Sequence, residues 1–223
     1  MDSIAASAGC LSFRLSLALF GTQIRRFGAV AVLVPVAAGA ILAGIGAAWL
    51  YGAGRTPALL AMMAFTELYP VAVGMCAVSV LAGDSLVEVQ GSTPVGFRSV
   101  QTVRLVVVLI GGFLGAIAMF APLHLLGIYP RDTGWASFLF PAGGAAVMAF
   151  LAYSAVSLSG AAATASLAVA AAWLFLALIW DPNMVSLASQ RGIPLLAACA
   201  ACSFAWRSLG NVERALLKAR DAQ

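Results

Sequence analysis

The chain has 223 residues, of which 63% are hydrophobic and 9% charged, and a mean hydropathy of +1.02, whereas soluble domains carry roughly 25% charged residues. So little polar surface excludes a water-exposed globule, and counting membrane spans replaces counting domains by length. The formal charge of +4 is informative through its distribution among loops, and does not by itself indicate an anionic partner.

Residues 1–26 read as an N-terminal interfacial segment. Leu11, Leu15, Ala18 and Leu19 alternate at near-helical spacing with Ser12, Arg14 and Gln23, and the stretch ends on Arg25 and Arg26, the pattern of an amphipathic helix lying on a membrane. The apolar run Leu15 to Phe20 is too short for the core of a cleaved signal peptide.

Residues 27–206 read as an all-α bundle of six transmembrane helices. The first span runs from about Phe27 to Leu50 and ends at the interfacial aromatics Trp49 and Tyr51. The second covers about Ala58 to Leu81, the third Leu105 to Ile128, the fourth Trp135 to Ser157 and the fifth Ala161 to Trp180. The sixth is less regular. Its unbroken apolar run, Ile193 to Trp206, is short of a crossing, so either Pro182 to Gly192 forms a re-entrant approach or the helix starts earlier and carries Gln190 and Arg191 at its outer end. Residues 207–223 read as a short basic amphipathic tail.

Nine basic residues (Arg14, Arg25, Arg26, Arg98, Arg104, Arg207, Arg214, Lys218, Arg220) fall on the side of the termini and three (Arg55, Arg131, Arg191) on the other. The positive-inside rule therefore puts both termini in the cytoplasm.

Few residues offer chemistry. Cys199 and Cys202 form a CxxC without a second pair or a nearby histidine, and read as small packing residues. His124, the sole histidine, reads as an interfacial polar group near Tyr129. Glu67 is an ionisable group well inside the second span. A charged residue at such a depth costs roughly 2.5–3.5 kcal/mol to insert, so it is expected to face a partner helix or a wet cavity. The longest polar connection, residues 83–104, reads GDSLVEVQGSTPVGFRSVQTVR. Asp84 and Glu88 are one helical turn apart, and Thr93 followed by Pro94 is a helix start. A short helix across the cytoplasmic face is expected there; a solvated loop is the simpler reading.

An acidic segment ending in a Ser/Thr-Pro turn and an arginine, set after a span holding Glu67 and Pro70 and before a third span, resembles the permease subunits of ABC-2 type ATP-binding cassette exporters. The likeness is best over Glu67 to Arg104, and the span order extends it along nearly the whole chain. The resemblance implies an ABC-2 type exporter fold and the inner (plasma) membrane of a prokaryote. It also implies a dimer with a second copy or a related permease, and a separate ATPase carrying ATP and Mg. Asp84, Glu88, Val89, Thr93, Pro94 and Arg98 would then form the coupling helix that docks on that ATPase, and no residue would perform bond chemistry. The chain holds no Gly-rich loop ending in Lys-Ser or Lys-Thr, and its single lysine is Lys218, so it cannot build a P-loop and has no cofactor of its own.

Three other readings compete. The haem-exporter subunit of cytochrome c maturation is similar in length and span count, but its loop pattern differs. A non-transporting assembly or immunity protein would need no ATPase. An intramembrane serine protease would use Ser137 of the Gly134-x-x-Ser137 run with His124, yet in that family the serine precedes the histidine and lies inside a span.

Overall fold

A computed structural model describes residues 28–82, 97–184 and 186–221 together with Gly21, with side chains described as far as Gly210 except that of Phe97. The N-terminal amphipathic helix and most of the coupling segment expected from the sequence, including Asp84, Glu88, Val89, Thr93 and Pro94, lie outside the described residues.

The described residues contain helices and turns and no strand. Among the described residues, six helices are long and apolar enough to cross a membrane: Ala29–Ala53, Arg55–Ala82, Arg98–Leu125, Trp135–Ser159, Ala162–Asn183 and Ala188–Gly210. Large apolar side chains point outward along them, among them Leu33, Ile41, Leu167, Leu178, Leu196 and Phe204. An apolar surface of that extent is a surface for hydrocarbon, and the protein is a multi-pass membrane protein.

The connections alternate the spans between two faces. One face, here the terminal face, holds the ends at Ala29, Ala82, Arg98, Ser159, Ala162 and Gly210; the opposite, or loop, face holds Ala53, Arg55, Leu125, Trp135, Asn183 and Ala188. The fourth and fifth spans join at Gly160, whose φ of 65° closes the helix and lets its N–H donate to the Val156 carbonyl at 2.9 Å.

The first and third spans run parallel and pack most extensively. Their contact is a stripe of small residues: Ala31 against Gly111, Pro35 against Gly115, and Gly39 against Gly115. A Cβ on Gly111 or Gly39 would sit 2.1 Å from a carbonyl oxygen of the other helix, so the backbones touch, as small residues four apart permit in membranes. Tyr69, fully buried, crosses from the second span and donates its hydroxyl to the Gly112 carbonyl.

Two boundaries differ from the sequence reading. The third helix is already formed at Phe97, whereas the sequence reading started the span at Leu105, after a polar connection reaching Arg104. Gln101 and Arg104 are 4% and 1% exposed, because they pack inward on a helix face that continues the apolar stripe. The last helix runs unbroken from Ile193 to Asp221, so the basic tail continues the sixth span without a separating turn.

Candidate functional site

The second span is interrupted at Thr66 and Glu67, between helices Arg55–Phe65 and Leu68–Ala82. Pro70 explains the interruption: it has no N–H to offer the Thr66 carbonyl, and its ring crowds that position. Thr66 instead accepts from the Tyr69 N–H at 3.4 Å, while its own hydroxyl donates to the Met62 carbonyl at 2.7 Å. The Trp173 indole N–H of the fifth span donates to the Glu67 carbonyl at 2.7 Å, tying that span to the break. Trp173→Phe is expected to cost about 1 kcal/mol, a melting midpoint lower by roughly 2–4 °C in detergent.

The Glu67 side chain lines a cavity of about 140 Å³ with Thr66, Tyr129, Arg131, Phe140, Asp181, Gln190 and Arg191. Arg191 is the hub. Its Nη1 lies 2.8 Å from Asp181 Oδ2 and its Nη2 lies 3.6 Å from Glu67 Oε2. Arg191 and Asp181 are 8% and 6% exposed, whereas the Glu67 side chain keeps 35%. The adjacent Gln190 donates its amide to the Asp181 and Met184 carbonyls at 3.0 and 2.5 Å.

Local structure puts these groups together. The fifth span ends in a π-helical turn, Leu176–Trp180, and the sixth begins with another, Ala188–Gly192; such wide turns rotate the residues that follow. Asp181 and Arg191 thereby face each other from the two sides of a short connection. Gly143 and Gly144 of the fourth span make room: a Cβ on Gly143 would lie 3.2 Å from the Arg191 Cβ, and one on Gly144 would lie 2.8 Å from Pro70. At the mouth stands Arg131, exposed and at a φ of 54°. Tyr129, in the same loop, is buried, and that burial, aided by the nearby Glu67 carboxylate, raises its hydroxyl above the ordinary tyrosine range, so it remains a neutral hydrogen-bonding group.

Glu67 is thus one of four charged groups lining the site, with Arg131 at its mouth. Arg191, counted from the sequence as an outer residue, and Asp181, not singled out at all, complete it. The signal for both was present as two charges flanking an irregular entry to the last span.

The remaining candidates separate from this cluster. His124 sits beyond the cavity at the loop face, stacked on Phe120 with ring centroids 5.1 Å apart and hydrogen-bonded through Nδ1 to Asp132 at 2.5 Å. Ser137 pairs with the Thr133 hydroxyl at 3.0 Å. Cys199 and Cys202 are free thiols, and no group of residues suited to a metal ion occurs among the described residues.

Arg98, the described member of the expected coupling segment, lies at the terminal face. Its guanidinium covers the Trp206 ring at 3.5 Å, in space left by Gly210, where a Cβ would fall 2.1 Å from Nη1. One turn on, the Gln101 amide donates to the Leu81 carbonyl at 3.2 Å, joining the start of the third span to the end of the second. No protein-family model, curated protein or solved structure matches the chain.

Proposed function

We propose that the protein is the transmembrane permease subunit of an ABC-2 type exporter. In this reading both termini are cytoplasmic, and the chain moves a hydrophobic or amphipathic substrate with ATP hydrolysed by a separate subunit. The observation that supports it is the bracing at the two attachment points of the polar segment 83–96. One end, Leu81, is held by Gln101, and the other, Arg98, is held against the last span by Trp206. Through these contacts a displacement reaching Leu81 or Arg98 would pass into the second, third and sixth spans. The nine-to-three distribution of basic residues puts this face in the cytoplasm, where an ATPase operates. The resemblance over Glu67 to Arg104 supplies the family.

The test is to tag the chain after Gln223, extract it gently from its native membrane, and identify what accompanies it. An ATP-hydrolysing subunit with a P-loop is expected. The paired change Glu88→Arg and Val89→Asp is expected to lower its recovery about tenfold, equivalent to roughly 1.4 kcal/mol of contact, while insertion is unchanged. Recovery without any ATPase, or undiminished recovery and transport in the variant, overturns the reading.

A further inference from the structure

The charged cavity has an apolar neighbour. The fifth and sixth spans pack on the fourth more than on each other, and leave between them a groove of about 240 Å³, lined by Val147, Leu151, Ala172, Leu176, Pro194 and Ala198. The two hollows are neighbours: the groove starts at Trp180 and Ile193, next to Asp181 and within two residues of Arg191 in the cavity, and extends deeper along the helices. From Phe140 to Val147 on the fourth span, and from Arg191 to Ala198 on the sixth, the chain descends seven residues from the loop face, about 10 Å at 1.5 Å per residue. Phe175 and Ile193 at the groove's rim are about half exposed, so the groove opens sideways toward the surrounding hydrocarbon.

A polar chamber near the loop face, with an apolar groove that starts beside it and runs deeper, suits an amphiphile lying along the helices. The charges specify its head. Arg191 lies between two carboxylates, leaving one negative charge in excess, and Glu67 is the carboxylate still partly open. Arg131 at the mouth makes no hydrogen bond or ion pair with a described residue, and supplies one positive charge. The complementary head has one anion and one cation close together, with hydrogen-bond donors on the cation. A phosphate beside a primary ammonium meets this; a quaternary ammonium has no donor for Glu67, and a purely anionic head leaves that carboxylate unanswered.

We propose that this cleft binds one molecule of a phosphoethanolamine lipid. Its phosphate rests at Arg131, its ammonium at Glu67, and one acyl chain fills the groove beside Ala198. The assignment does not depend on an ATPase.

The full chain is placed in bilayer nanodiscs made from equal parts of phosphatidylethanolamine, phosphatidylcholine and phosphatidylglycerol with identical acyl chains. It is then stripped mildly with detergent, and the retained lipid is measured by mass spectrometry. About one phosphatidylethanolamine per chain is expected, enriched about fivefold over the other two, which one charge-assisted hydrogen bond at a half-open site provides. Glu67→Gln, at the half-open carboxylate, is expected to abolish the preference, and Arg131→Gln, on the exposed loop, is expected to lower retention of all three lipids alike, since each carries the phosphate. Ala197→Trp, at an exposed groove position, is expected to lower retention of every lipid by blocking the chain's seat. Retained lipid in the bulk ratio, a preference for phosphatidylglycerol, an unchanged preference in Glu67→Gln, or undiminished retention in Ala197→Trp, each with normal elution and melting, overturns the proposal.

Discussion

Gly115→Leu is expected to lower the melting midpoint of the detergent-purified protein by roughly 6–12 °C, corresponding to about 3 kcal/mol or more. A Cβ at this position would lie 2.3 Å from the Pro35 carbonyl oxygen, 2.5 Å from the Pro35 carbonyl carbon and 2.5 Å from the Tyr69 hydroxyl oxygen. Two of those atoms are backbone and cannot rotate away, so the first span must move off the third along its whole length. The Tyr69 hydrogen bond to Gly112 would be strained by the same movement. Gly44 is the control: nothing lies within 4 Å of a Cβ there, so Gly44→Leu, on the same first span, is expected to leave the midpoint within a degree or two, a change of about 0.5 kcal/mol at most. A Gly115→Leu protein that melts with the parent would show that these two backbones do not meet.

The second large effect is expected at Arg191. Arg191→Ala leaves Asp181, whose side chain is 7% exposed, without the cation that compensates it, and leaves Glu67 without its nearest one. Removing one partner of a buried ion pair costs about 3–5 kcal/mol, mostly as the penalty of a stranded charge. The change is expected to appear as poor recovery of folded protein and an early melting transition. Combining Asp181→Leu with Arg191→Met removes both charges and keeps most of the volume. The double variant is expected to be more stable than Arg191→Ala by about 2 kcal/mol or more, since paired removal is often nearly neutral. Equal instability in the two proteins would mean that the stranded Asp181 charge is not what Arg191→Ala costs.

The bundle was legible because apolar runs near 20 residues have few other uses and because the turn residues fall between them. The start of the third span was not. Arg98, Gln101 and Arg104 are spaced three apart, which places them on one helical face, yet polar residues at a membrane boundary read equally as loop. Contacts with Trp206 and Leu81, more than a hundred residues away in one case and twenty in the other, decide between the two. The expected coupling residues from Asp84 to Pro94 lie outside the described residues, and their role is carried by the proposal and its test.

By itself the sequence determined that the chain is a helical multi-pass membrane protein with six runs long and apolar enough to span a bilayer, because hydropathy and span length are sums over neighbours in the chain. It also marked Glu67 as a residue that needs company, since an ionisable group at that depth is costly wherever it points. Which groups answer it only the tertiary structure decided. Asp181 and Arg191 lie on either side of an irregular connection, and two wide helical turns together with the glycine pair Gly143 and Gly144 bring them to Glu67. Ion pairing depends on separation in space to within an ångström or two, and no local pattern of residues encodes a distance between spans that are far apart in the chain.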